Sequence, residues 1–363
     1  MEIKPNWIRL RRDGKLRKNL EFRARTLRKI REFFHRRGFL EVDPPILVPL
    51  PGMEPHLDPM GVDVEDRWGR RRFFLHTSPE YCMKKLLCGG VEKSYALTHA
   101  FRGGEVSETH NPEFTILEWY RANDGYERIM EDCEELIWSL FSGMKEDGLV
   151  DQKICPAPPW PRVRLKEAMA EYAGINLDGV KGLEDLVSIA RSKGYEAIDG
   201  SWSFEDVFYK IFFREVEPRL PKQGPFFLVD YPVEMASLAK RKASSPRWAE
   251  RFELYVGDLE LANGFSELID PAEQEERLRK ELEQRRVLRK ELYPVDESFL
   301  EALKMGLPPC AGVALGVDRL VMFLVGAKSI KEVMPFPWED LLRDWERSYS
   351  EPPTPVLADP SVA

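Results

Sequence analysis

The chain has no basic excess, no closely paired cysteines and no long apolar run, and each absence removes a class of function. Its 54 Lys and Arg are outnumbered by 62 Asp and Glu, for a net charge of −8 and an isoelectric point near 5.5. A protein that grips nucleic acid by charge alone shows the opposite balance. The five cysteines (Cys82, Cys88, Cys133, Cys155, Cys310) form no C-x-x-C pair and are odd in number. They read as reduced thiols of a cytosolic protein, neither a disulfide frame nor a zinc site. No apolar run approaches the roughly 20 residues that cross a bilayer. The basic N-terminus is not followed by an apolar stretch, which argues against a secretory signal. A cytoplasmic location is expected. There is no internal repeat.

What is present fits a mixed α and β protein. The 363 residues, 43% of them apolar, suffice for one large domain or two ordinary ones. The first forty residues are locally basic, with Arg9, Arg11, Arg12, Lys15, Arg17, Lys18, Arg23, Arg25, Arg28, Lys29 and Arg31; this reads mainly as a solvated helix face. Residues 1–20 are expected to form a basic lead-in to a domain spanning 21–337. Leu27, Ile30, Phe33 and Phe34 recur at helical spacing, predicting a helix from Arg25 that stops at Gly38, with an extended segment at Phe39–Val42. Ser78 and Pro79 predict an N-cap and first helical residue. Helix is predicted over Gly125–Phe141, and a helical insertion over 145–224. A strand is predicted at Phe226–Val229, and a hairpin turning at Gly257-Asp258. Ala272–Leu292 reads as a charged helix, and Gly312–Ala327 as a strand and then a helix. The segment 338–363, with several prolines, reads as a loosely packed or disordered tail.

Three stretches carry chemistry. The first is FRGGEVSETHNPEFTILEWY, Phe101 to Tyr120. An arginine and a loop of hydrogen-bonding groups lie between two strand-like runs, which places them at one end of a hairpin. That arrangement can hold a polyphosphate and a flat base without a glycine-rich helix N-terminus. The second is ELANGFSE, Glu260 to Glu267, where a strand carrying Glu260 and a bend at Gly264 would let Glu260 and Glu267 converge. Two carboxylates beside a polyphosphate are a usual way to hold Mg²⁺. The third is Gly316-Val317-Asp318-Arg319.

Together these stretches closely resemble the motifs of class II aminoacyl-tRNA synthetases, and HNPEFT followed by E-x-Y resembles the lysyl subgroup. SPEYxMKxLL, HNPEFTxLEWY, ELANGFxEL and GVALGVDRLVM occur in order, covering about residues 20–337. The helix and strand near residues 25–45 resemble the dimer-forming first motif. The resemblance implies an α+β fold, an antiparallel sheet flanked by helices, and a homodimer. It implies ATP and Mg²⁺ as cofactors. Arg102 would hold the α-phosphate and the substrate carboxylate, where a planar guanidinium meets the charge that develops. Gly103, Gly104, His110, Asn111, Leu261 and Gly316 would border the nucleotide. Phe114 and Arg319 would sandwich the adenine, with Arg319 reaching the γ-phosphate. Ser78, Pro79, Glu80, Glu118, Tyr120, Asn263, Glu267 and Ala314 would surround the amino acid. Several carboxylates with a tyrosine suit a cationic side chain, which needs opposite charge when buried.

The first motif begins near residue 25, which leaves no room before it for the anticodon-binding domain of lysyl-tRNA synthetases. The chain therefore looks like the freestanding homologues that adenylate (R)-β-lysine, or lysine, and pass it to a lysine of elongation factor P, with no tRNA. Ser78, Ala314 and Pro55-His56-Leu57 agree with that group. One departure is Gly103-Gly104, where the family usually has Asn-Glu; Glu105 would have to substitute if the strand bulges there. The alternatives are lysyl transfer to tRNA or another acceptor, and a non-catalytic paralogue that binds an amino acid.

Overall fold

The computed structural model describes residues 4–146, 155–195, 198, 202–221 and 224–349. The basic N-terminal region forms a short helix α1 (Asn6–Arg9) and a long helix α2 (Gly14–Arg36). Asp13 caps α2 by accepting from the Leu16 N–H, so the helix starts earlier than the apolar spacing alone predicts. Leu16, Phe22, Ile30, Phe33 and Phe34 are its buried stripe. Gly38, at φ +73°, turns the chain out of the helix. The lead-in is part of the domain: the Asn6 amide donates to the carbonyls of Lys331 and Met334, and Asn19 donates to that of Glu332.

Strands β1 (Leu40–Glu41), β2 (Leu47–Val48), β3 (Met60–Asp66) and β4 (Gly69–Leu75) precede helix α3 (Glu80–Cys88). Pro79, not Ser78, is the N-cap of α3, and the Ser78 hydroxyl accepts from the Glu80 N–H instead. Next come β5 (Lys93–Phe101), β6 (Glu113–Ala122) and α4 (Tyr126–Glu146). The predicted insertion contains β7 (Arg162–Arg164), α5 (Leu165–Ala173), α6 (Leu183–Ser192) and α7 (Phe204–Ile211); its residues 147–154, 196–197, 199–201 and 222–223 lie outside the described residues. These helices share a core of their own with Phe226, Leu228, Trp248 and Tyr255. The chain continues through β8 (Pro225–Pro232), β9 (Arg241–Lys242), β10 (Ser245–Val256) and β11 (Leu259–Ser266). Helices α8 (Pro271–Val287) and α9 (Glu297–Gly306), strand β12 (Cys310–Gly316) and helix α10 (Val317–Val325) follow. Trp338–Tyr349, expected to be loose, is a helix, α11, to which the Asn6 N–H donates at Asp340. The prolines that suggested a loose tail all lie beyond Tyr349, among residues 350–363 outside the described set.

The main sheet runs β1-β5-β6-β12-β11-β10-β8-β7, with β9 on β10. Its centre is antiparallel, as expected, but β1/β5 and β7/β8 are parallel, so the sheet is mixed. Side-chain alternation gives its two faces different tasks. Leu117, Trp119, Ala311, Val313 and Leu315 face a core built with α2, α4 and α10. On the other face, Tyr120, Ala122 and Cys310 meet α3 and α9. That second face carries the functional residues.

Candidate active site

Strand register lays the site out as rows across β6, β12 and β11. Glu118 pairs with Ala314, which pairs with Asn263. Two residues further on, Tyr120 pairs with Gly312 and Gly312 with Phe265. Glu267 follows at the end of β11, its N–H donating to the Cys310 carbonyl. Residues two apart share a face, so the predicted substrate residues Glu118, Tyr120, Asn263, Ala314 and Glu267 line one continuous strip. Gly312 belongs with them, since a Cβ there would overlap the Tyr120 ring. Pro79 opens α3, which brings Glu80 over the strip.

The upper end of the strip opens into a cleft. Arg102, Glu105, His110, Asn111, Phe114, Glu260, Leu261, Gly316 and Arg319 all line it, as do Asn263 and Ala314. The Arg102 guanidinium lies 5.1 Å from the centre of the Phe114 ring and 4.0 Å from the Glu105 carboxylate. Strand β5 ends at Phe101, so Gly103 and Gly104 form a turn, with no bulge in a continuing strand. Gly104 at φ +77° closes that turn, and through it Glu105 reaches the cleft. Arg319 donates to the carbonyls of Thr109 and Glu260 and to Nε2 of His110 at 2.5 Å. His110 Nδ1 faces the Ser107 hydroxyl at 2.8 Å. Burial, then the adjacent Arg319 charge, lowers the His110 pKa. The ring is therefore neutral near pH 7, with Nε2 as the acceptor. Asn111 also brackets the loop, donating to the Glu113 carbonyl and accepting from the Trp338 N–H. Gly316 starts α10, and a Cβ there would make only ordinary contacts, so no close approach requires it.

Two residues of this end escaped the sequence reading. Asp318 accepts from Arg23 at 2.5 Å and from the Thr115 N–H at 2.7 Å, and Arg23 also donates to the Thr115 hydroxyl. This buried knot ties α2, β6 and α10 together behind the cleft, so the basic helix is more than a solvated face. The second is Glu253. The predicted pairing of Glu260 with Glu267 does not form as drawn, because β11 runs through Gly264 without a bend. The carboxylate that acts on Glu260 is Glu253 on the neighbouring β10, held by Arg251 and Tyr255. A register shift in the β10/β11 pairing, between Leu254 and Tyr255, lies beside it. Its place in the cleft, then Glu253, raises the Glu260 pKa to about 7. Two neighbouring carboxyls at the cleft fit a site for Mg²⁺, which takes one or two carboxylates plus phosphate and water. Among the described residues no cluster of three metal-binding side chains forms.

Glu267 belongs to the other, closed end. Its Oε2 lies 2.6 Å from Lys84 Nζ, which also donates to Glu80 Oε1 at 2.6 Å. Its partner is a cation of the protein, so it corrects the expected metal pair. Glu118 is 1% exposed; one oxygen accepts from the Tyr120 hydroxyl, while Oε1 has no partner. Burial, then the Glu80 charge, pushes Glu118 up to about 8, with the Ser78 hydroxyl opposing by donating to it.

A strip that joins an arginine-flanked cleft to a dry carboxylate pocket on a mixed sheet is the architecture of a class II synthetase catalytic domain. A family model described as tRNA synthetases class II (D, K and N) matches residues 1–340, and the chain belongs to that family. The chain is 37% identical over 327 residues to the lysine–tRNA ligase of Pelotomaculum thermopropionicum, covering 87% of this chain and 62% of that one. It is also 37% identical to that of Syntrophomonas wolfei, covering 87% and 63%, and 35% identical to that of Carboxydothermus hydrogenoformans, covering 93% and 68%. The chain thus spans about three fifths of the length of the first two relatives. All five cysteines are free thiols, and among the described residues no helix is long and apolar enough to cross a membrane.

Proposed function

We propose that this chain activates lysine or (R)-β-lysine with ATP and passes the aminoacyl group to an amine, the side chain of a lysine on elongation factor P. The observation that carries this reading is the strip itself. Acids for a cationic amino acid stand at one end, arginines for phosphates at the other, and Asn263 and Ala314 between them. A substrate carboxylate oxygen attacks the α-phosphorus as the bond to pyrophosphate breaks, leaving an aminoacyl-adenylate. Arg102 and Arg319 serve the charge that develops there, Phe114 the base, and Glu118, Tyr120, Glu80 and Glu267 the ammonium groups. Glu260, with Glu253 beside it, would hold Mg²⁺, which when bound neutralises phosphate charge. The acceptor amine then attacks the carbonyl carbon, AMP leaves, and the amine loses a proton. That amine must arrive neutral, so transfer slows at low pH. Ser78, Ala314 and Pro55-His56-Leu57 favour elongation factor P as acceptor. The exposed Leu40, Ile46 and Leu47 beside α2 favour a homodimer through that face.

The names of the relatives favour a second reading in which tRNA is the acceptor. Pyrophosphate exchange tests activation: no exchange with lysine or (R)-β-lysine, in folded protein with Mg²⁺, defeats both readings. Acylation of elongation factor P against tRNA then separates them.

A further inference from the structure

The closed end of the pocket contains an ammonium group of its own. Lys84, on α3, is 0% exposed and lies between Glu80 and Glu267, 2.6 Å from each. Its Nζ is also 5.3 Å from the centre of the Phe265 ring and 5.9 Å from that of Phe299. Two aromatic faces and two carboxylates thus meet this cation. It uses one oxygen of each acid. Glu118 Oε1 and both oxygens of Glu267 are buried without a hydrogen-bond partner, Oε2 of Glu267 being held by the ion pair with Lys84 while its Oε1 is left bare. A buried carboxylate oxygen left unpaired in a dry site is costly, and it is satisfied by whatever donor enters.

Resting on the lysine-activating role proposed above, we infer that Lys84 is a positioning residue for specificity: it clamps Glu80 and Glu267 and leaves unpaired acid oxygens for the ammonium of the incoming amino acid. Without Lys84 the two acids repel each other, and one takes up a proton or turns away. A displaced carboxyl no longer accepts from a substrate ammonium, and a protonated one must first lose its proton. The clamp touches nothing at the nucleotide end, where Arg102, Phe114 and Arg319 lie. Its effect therefore falls on the amino acid and spares ATP. Lys84 also defines the floor of the strip: a longer cationic side chain would have to displace an ammonium that is already paired twice.

The test is pyrophosphate exchange on Lys84→Ala in the full chain, with a thermal melt as the folding control and ethylammonium as the probe. The expected result is a KM for lysine raised about 30-fold, as for truncation of one partner in a buried charge pair, with the KM for ATP unchanged. Added ethylammonium, which fits the deleted ammonium and part of its stem, should lower the lysine KM again in the variant and not in the parent. A lysine KM that does not move, or one that moves together with the ATP KM and ignores ethylammonium, overturns the inference. If K84A does not melt cooperatively, K84R decides. Its wider head disturbs both acids and should raise the lysine KM alone, whereas an unchanged lysine KM overturns the inference. A parent with no lysine-dependent exchange overturns the functional reading, and this inference with it; an active parent with an indifferent K84A overturns this inference only.

Discussion

The two ends of the active-site strip are charged oppositely and built oppositely. At the nucleotide end the side chains of Arg102, Arg319 and Glu260 are 27%, 20% and 39% exposed, and their ion pairs, at 4.0 and 3.9 Å, are loose. At the amino-acid end Lys84, Glu118 and Glu267 are essentially sealed from water, and each is compensated from within by an ion pair, a hydrogen bond or a retained proton. A polyphosphate carries its own charge and metal, so an open, wet cleft suffices. A single ammonium must be told apart from a methyl group, and that discrimination grows when unpaired acids face it in a dry site.

The contrast can be broken first at the open end. Arg102→Ala removes the guanidinium proposed to meet the reacting phosphate and should slow exchange by about 10²–10³-fold. It should leave the melting temperature nearly unchanged, because among the described residues the Arg102 side chain makes one long hydrogen bond, to the Thr77 carbonyl, and loose contacts with Glu105 and Phe114. At the closed end, Glu118→Gln keeps the shape and removes the charge. The lysine KM should rise about 30-fold, on the order of one charge-assisted hydrogen bond, with the ATP KM unmoved. The same residue predicts a proton signature. Raised to about 8 by burial, Glu118 is mostly protonated at pH 7 in the free pocket. An entering ammonium favours the carboxylate and expels that proton. Calorimetry in buffers of different ionisation enthalpy should show proton release near pH 7 that fades above about pH 9 and is smaller in E118Q, where only Glu267, also raised to about 8, can still contribute.

Gly312→Ala sharpens the comparison at its boundary. The added methyl displaces the Tyr120 ring and should raise the lysine KM about 10-fold while costing on the order of 1–3 kcal/mol of stability by overpacking. The smallest effect belongs to Gly104→Ala. A residue with a Cβ at φ +77° costs about 1–2 kcal/mol and loosens the turn that brings Glu105 to Arg102. ATP KM should rise a few-fold and lysine KM stay put; a loss as large as that of R102A would mean that Glu105 is as central as the arginine.

Much of this was legible along the chain. The hairpin of Phe101 to Tyr120 and the turn at Gly257-Asp258 follow from residue type and local spacing, whereas the α+β class and the residues facing the cleft follow from the resemblance of the motifs to class II synthetases. A strand carrying E-x-Y, as Glu118 and Tyr120 do, places both side chains on one face wherever it lies in the fold. Where the structure differs from that reading, a local cap, a local turn or a remote contact decides. Apolar spacing alone starts the first helix at Arg25, whereas the Asp13 cap starts it at Gly14, in a stretch dominated by Lys and Arg. The prolines beyond Tyr349 mask the helix of Trp338–Tyr349, which a contact with Asn6 at the other end of the chain holds in place. The Gly103-Gly104 departure became intelligible only when the end of β5 and the turn after it were seen.

By itself, then, the sequence determined the family, the order of its motifs and which side chains share the working face, since period-two alternation is a property of the strand alone. Only the tertiary structure decided how those side chains are charged and partnered. That Glu253 on a neighbouring strand acts on Glu260, that Arg23 locks Asp318, and that Lys84 from a helix claims Glu267 depend on through-space distances of a few ångströms. At those distances burial and Coulomb interactions set protonation and pairing, and no spacing along the chain specifies them.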